Sequence, residues 1–217
     1  MPWPMVHLAV SDRLFAGEAT PALLLGCIAP DAIHMRGNVS REEKGVTHLV
    51  RNQELPGVPL ILEKCAEYGD RRSEIEWKHF VLGYFSHIYT DVRWTHTVYA
   101  DFENCCKGEK NTVRSTYNSE ASQLEFTLLR ELENSDRLLA KLSAASSYEL
   151  LPFVTLAEVD QYRQRKLAWL SEPLNEPQQE LQYFQTDRIL YFIHDTVKEW
   201  NELTLLHGLK WERGSLK

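Results

Sequence analysis

The residues that could do chemistry in this chain are histidines and aspartates concentrated in its first 96 positions. His87 and Asp91 stand four apart in the stretch Phe-Val-Leu-Gly-Tyr-Phe-Ser-His-Ile-Tyr-Thr-Asp-Val-Arg-Trp-Thr-His, positions 80–96. On a helix this spacing leaves the two side chains about 40° apart on one face, so both can reach one ion. Their neighbours Val81, Leu82, Tyr84, Phe85, Ile88, Tyr89 and Trp94 are apolar or aromatic, which predicts a helix buried on most sides. A carboxylate in such a place needs a partner. A metal cation would supply one; a core histidine donating to the aspartate, with no metal, is the plainer alternative.

His7, Asp31 and His48 extend the set. Each falls on a helix start or a loop edge, from which distant segments can converge, and nitrogen and oxygen ligands without cysteine suit zinc, with manganese or iron as alternatives. The four cysteines (Cys27, Cys65, Cys105, Cys106) form no Cys-x-x-Cys pair and are too few for a disulfide scaffold, so they read as reduced thiols.

The elements that must position these residues read as helices throughout. Pro4 opens an apolar stretch that carries His7 and ends at Gly17. Pro21 begins a short run, Ala22 to Ile28, which breaks at Ala29-Pro30-Asp31 because the residue before a proline avoids the helical region. Arg36 to Gly45 is charged and reads as a surface loop, with His48 just after it. A short helix is predicted over Leu60 to Tyr68, and the His87/Asp91 helix from about Glu74 to beyond Phe102. Lys107 to Asn118 reads as a polar interruption before an amphipathic stretch, Glu120 to Leu142. Thr155 with Glu158 makes a capping box for a helix to about Leu170, and a last helix is expected from Gln178 to about Leu206. No sustained strand alternation and no repeat is present. The expectation is one all-α domain over 1–217 with about seven helices, the metal-site residues in the first hundred, and 107–217 serving as a lid, a specificity element or a dimer surface.

In order along the chain, Leu25-Gly26-Cys27-Ile28-Ala29-Pro30-Asp31, Thr47-His48-Leu49 and Leu82-Gly83-Tyr84-Phe85-Ser86-His87-Ile88-Tyr89-Thr90-Asp91, with His7 in the first helix, make a pattern that resembles the zinc-dependent phospholipase C family and its S1/P1-type nuclease relatives. The resemblance covers roughly the first hundred residues. It implies a multi-helix bundle of that type in which Asp31, His48, His87 and Asp91 hold one metal and Asp91 bridges to a second metal bound by His7. The chain departs from the pattern at its start, where several residues precede His7, whereas the secreted phospholipases complete that site with their mature N-terminal residue. The family also places a histidine soon after its His-x-x-x-Asp motif. His96 is the candidate, but on an unbroken helix it lies about 180° from His87 and about 140° from Asp91, so a break after Trp94 is required. The family's last metal uses a His with a Glu four residues on. This chain has Lys198 four after His194, so His194 would have to substitute with Asp195 or Glu199; a core histidine is the other reading. His34 is either an outer partner of the site or a solvated loop residue, and His79 and His207 are surface or packing residues.

The chemistry implied is hydrolysis of a phosphoester. Two or three metals would hold a phosphoryl oxygen and activate water, with Asp31 or Asp91 accepting its proton. The substrate would be a phospholipid headgroup ester or another small phosphodiester. The alternative is a helical binding or assembly protein with one structural metal and no catalysis. A net charge of −7 argues against a nonspecific grip on nucleic acid. Leu23-Leu24-Leu25 is too short for a membrane span or a signal core, and the first residues lack a basic stretch, so a cytoplasmic protein is expected. The dipeptide His194-Asp195 resembles the HD-type phosphohydrolases, but no aspartate follows Asp195; no Gly-x-Ser-x-Gly elbow or Gly-rich phosphate loop occurs.

Overall fold

The computed structural model describes residues 2–209. Among them are ten α-helices and no strand: α1 Pro4–Leu14, α2 Pro21–Gly26, α3 Arg41–Thr47, α4 Val58–Gly69, α5 Ile75–Trp94, α6 Ala100–Cys105, α7 Lys110–Glu131, α8 Ser135–Ser143, α9 Leu156–Leu170 and α10 Thr186–Leu206. The all-α expectation holds, with more helices than the seven read from the sequence. The extra ones lie where polar composition reads as loop. Ser40 and Glu43 make a capping box that starts α3 inside the expected loop 36–45. Helix α7 begins at Lys110, within the expected polar interruption, and the 120–142 stretch is divided between α7 and α8. Helix α10 starts at Thr186 rather than Gln178. The preceding strap is instead held by the buried Glu120 carboxylate, which accepts the backbone N–H groups of Gln182, Tyr183 and Phe184 at 2.9–3.1 Å.

Helix α5 is the central element. From Trp77 to Asp91 all of its residues except Lys78 are buried, so it is wrapped rather than amphipathic. Its closest neighbour is α2. A Cβ on Gly26 would lie 2.1 Å from the Phe80 carbonyl oxygen, and one on Gly83 would lie 2.2 Å from the Leu23 carbonyl oxygen. Only hydrogen fits between these backbones, and the obstructing atoms are main chain, which cannot rotate away. After Trp94 the helix widens into one π turn, Thr95–Tyr99, and continues as α6. None of the described helices is long and apolar enough to cross a membrane.

This contact gives a direct test. Gly83→Ala should destabilise the fold by about 3 kcal/mol, the upper part of the overpacking range, because α2 and α5 must separate. Urea unfolding followed by circular dichroism measures the loss; a change under about 0.5 kcal/mol would show that the crossing is loose.

Candidate metal centre

Five side chains from four segments meet beside α5. His7 lies in the second turn of α1. Asp31 lies in the 3-10 turn Ala29–Arg36 that follows the Pro30 break, and His48 is the residue that ends α3. His87 and Asp91 share one face of α5, as their spacing predicts. His7, His48, His87 and Asp91 are buried, and Asp31 is the one member that is partly exposed.

Asp91 divides its two oxygens between the histidines. Oδ2 lies 3.4 Å from His48 Nε2 and 3.5 Å from His87 Nε2, while Oδ1 lies 3.5 Å from His7 Nε2. Asp31 Oδ1 is 3.7 Å from His48 Nε2, and the Nε2 atoms of His48 and His87 are 3.2 Å apart. Ligands about 2.1 Å from a tetrahedral centre stand about 3.4 Å from one another, so these separations match those that a coordination polyhedron would need. Two triads satisfy that spacing, His7/His87/Asp91 and Asp31/His48/His87. The His7 ring stacks on that of His87 with centroids 3.8 Å apart.

Hydrogen bonds fix the proton on each ring nitrogen that faces away from the cluster. His87 Nδ1 is 2.8 Å from the Cys27 carbonyl oxygen, which can only accept, so Nδ1 carries the proton. His48 Nδ1 is 2.9 Å from Thr47 Oγ1 and 3.2 Å from the Lys44 carbonyl oxygen. The Thr47 hydroxyl already donates to Lys44, so it too accepts from His48. In their neutral forms both histidines therefore aim a lone pair inward, across 3.2 Å. Neither oxygen of Asp91 and neither nitrogen of His7 has a hydrogen-bond partner among the described residues. Facing lone pairs and a buried carboxylate with no donor repel one another unless positive charge lies between them, either a metal ion or a proton on His87 Nε2. The donor set, three imidazoles and two carboxylates, fits zinc, and the outward Nδ1–H···O bonds are the outer support that metal-binding histidines use.

Without a metal, the electrostatics centre the positive charge on His87. Burial, and then repulsion from His87, pulls His7 down to about 3, and burial lowers His48. Burial also opposes the charged form of His87, but the Asp91 carboxylate outweighs it and the group ends above its ordinary 6.5. Asp31 and Asp91 are desolvated, yet the surrounding histidines bring both below the usual carboxylate range. At neutral pH two rings are neutral and both acids ionised, with His87 the ring that holds a proton most readily.

A cleft of about 430 Å³ reaches the cluster at Asp31. Trp3, His34, Tyr162, Lys166 and Trp169 line it, and Tyr162 donates to Asp31 Oδ2 at 3.2 Å. The sequence reading missed Tyr162; an aromatic residue in a helix carries no local sign that its hydroxyl meets a distant carboxylate. His34, exposed, stands 3.9 Å from Asp31 Oδ1 on the cleft side.

The other candidates lie elsewhere. The helix does change register after Trp94, as a role for His96 required, but His96 is exposed. His194 is exposed on α10, neither core nor ligand, and the carboxylates that might have joined it, Asp195 and Glu199, both pair with Arg93. His79 is buried packing, 3.0 Å from Thr20 Oγ1, and His207 is exposed. No family model, curated protein or solved structure matches this chain.

One further buried acid positions the centre. Glu125 of α7 accepts the Met5 N–H with both oxygens, at 3.0 and 3.1 Å, pinning the first turn of α1 two residues before His7. Burial pushes its carboxyl up from 4.5 to about 8. A carboxyl raised on folding contributes stability that is full below pH 4.5 and lost as pH rises through about 8. Between about pH 6.5 and pH 9, above the range in which the lowered His7 and His48 act in the opposite sense, metal-free protein should therefore weaken, and Glu125→Gln, which cannot ionise, should flatten that slope in thermal melts. Metal uptake should show the opposite trend: because His87 must lose its proton to bind, affinity should fall as pH drops through the range just above 6.5, with proton release seen by calorimetry in buffers of different ionisation enthalpy.

Proposed function

We propose that this chain is a metal-dependent phosphoester hydrolase of the phospholipase C-like kind, with zinc as its metal. One observation supports the reading most: Asp91 offers one oxygen to His48 and His87 and the other to His7, so that its carboxylate and three ring nitrogens converge at the spacing of ligands around a cation, which would replace the proton His87 holds in its absence. This is the bridging role that the family resemblance assigns to Asp91. Zinc ions bound there would hold a phosphoryl oxygen and bring the pKa of a bound water close to 7.

The chain's own residues divide the remaining work. Asp31 is the ligand that meets the cleft, so it is placed to accept a proton from the attacking water. Tyr162 keeps Asp31 oriented through its second oxygen. Arg165 and Lys166 on the cleft wall put positive charge beside the phosphoryl oxygens, and Trp3 and Trp169, in edge contact at 5.5 Å, form an apolar side that excludes water. The substrate is a small phosphodiester or a phospholipid headgroup ester. A cytoplasmic setting belongs to the same reading and is supported by four unpaired thiols.

A second reading, one structural metal and no catalysis, is favoured by the depth of the cluster: four of its five members are at most 5% exposed. Elemental analysis of purified protein separates the two. The hydrolase should carry two or more equivalents of metal that His87→Ala and Asp91→Ala both lose, and should turn over bis(p-nitrophenyl) phosphate, with Asp91→Asn reducing the rate at least 100-fold. One tightly held equivalent with no turnover of diesters, monoesters or lipids would establish the structural metal instead.

A further inference from the structure

Away from the cleft at Asp31, a second hollow of about 750 Å³ lies between α3, the end of α5 with α6, and α7. Helix α3 brings Arg41 and Lys44 to it, three apart and so on one face. Helix α7 brings Lys110 and Arg114, four apart and again on one face. Glu103 is the one acid in the lining. None of the four cations has an ion pair or a side-chain hydrogen bond among the described residues, whereas Arg36, Arg93, Arg130, Arg137 and Arg163 are all paired with carboxylates. In a chain of net charge −7, four unpaired cations around one concavity make a local field opposite to that of the whole molecule. The wall between them is aromatic: Tyr99 and Phe102 each meet Tyr117 edge to face, with centroids 5.5 and 5.3 Å apart.

We infer that this hollow is a binding site for a multiply charged small anion joined to a flat apolar body, of the diphosphate-bearing class. Two cation pairs on facing helices suit an anion with at least two charged groups better than a single monovalent one, because each pair can take one group. The aromatic wall suits a ring laid against it. The site shares no side-chain cation with the His/Asp cluster and adjoins it through two bonds to main-chain carbonyls: His48 Nδ1 faces that of Lys44, and the Thr95 hydroxyl donates to that of Asp91. It therefore stands whether or not the metal reading does.

Calorimetric titration with pyrophosphate, and separately with ADP, tests it, using the full chain in chelator-containing buffer. Wild type should bind pyrophosphate saturably, and Lys110→Glu with Arg114→Glu should weaken it at least tenfold while leaving the far-ultraviolet circular dichroism unchanged. His87→Ala should bind as wild type does. ADP should bind at least threefold more tightly than pyrophosphate, and equal affinities would remove the flat body from the proposal. Absence of saturable binding, or binding unaffected by the charge reversal, would overturn it. Binding lost in His87→Ala would also overturn it by moving the anion to the metal cluster.

Discussion

The close crossing of α2 and α5 is the constraint on which the rest of the structure depends. With hydrogen alone at Gly26 and Gly83, the two backbones come near enough for the Cys27 carbonyl to accept from His87 Nδ1. That bond sets the tautomer of His87 and so turns its other nitrogen toward His48 and Asp91. A methyl group at either glycine would move the carbonyl away and free the ring. The same crossing delivers the end of α2 to Pro30, whose break swings Asp31 into the centre. Two glycines outside the cluster thus govern two of its five side chains, His87 and Asp31.

Around that crossing the protein places acidic groups where water cannot reach them and satisfies each locally. Glu120 closes the strap before α10, Glu125 pins the start of α1, and Asp31 and Asp91 meet the histidines. The first two neutralise orphaned backbone N–H groups, which is a structural task with a complete answer. Asp91 differs from them in facing three histidine nitrogens at 3.4–3.5 Å and no backbone N–H, and that difference marks it as the candidate site residue.

Much of this was legible in the sequence, and the exceptions have physical causes. The i,i+4 pair His87/Asp91, the Pro30 break and the Thr155/Glu158 capping box are local signals, and each lies where it was expected. The Ser40/Glu43 capping box carries the same signal and was lost in the surrounding charge and the glycines at 37 and 45. The first turns of α7 bury little, so no apolar stripe announces them. The need for glycine at 26 and 83 was hidden for another reason: glycine weakens a helix locally, and its advantage exists only in the partner's backbone. The candidate roles of His96 and His194 rested on the family pattern alone, and neither position supplies the buried, converging geometry that the first five residues share.

The π turn at Thr95–Tyr99 separates the reading frames of the two halves of one long rod. It inserts the equivalent of one residue, so that the faces of α5 and α6 are out of phase by about 100° relative to an unbroken helix. Upstream, the frame points His87 and Asp91 at the other ligands; downstream, it points Phe102 into the aromatic cluster with Tyr117 and Phe184. Chains that lengthen or shorten the rod by a single residue within this turn could therefore retune the aromatic hollow without rotating His87 or Asp91.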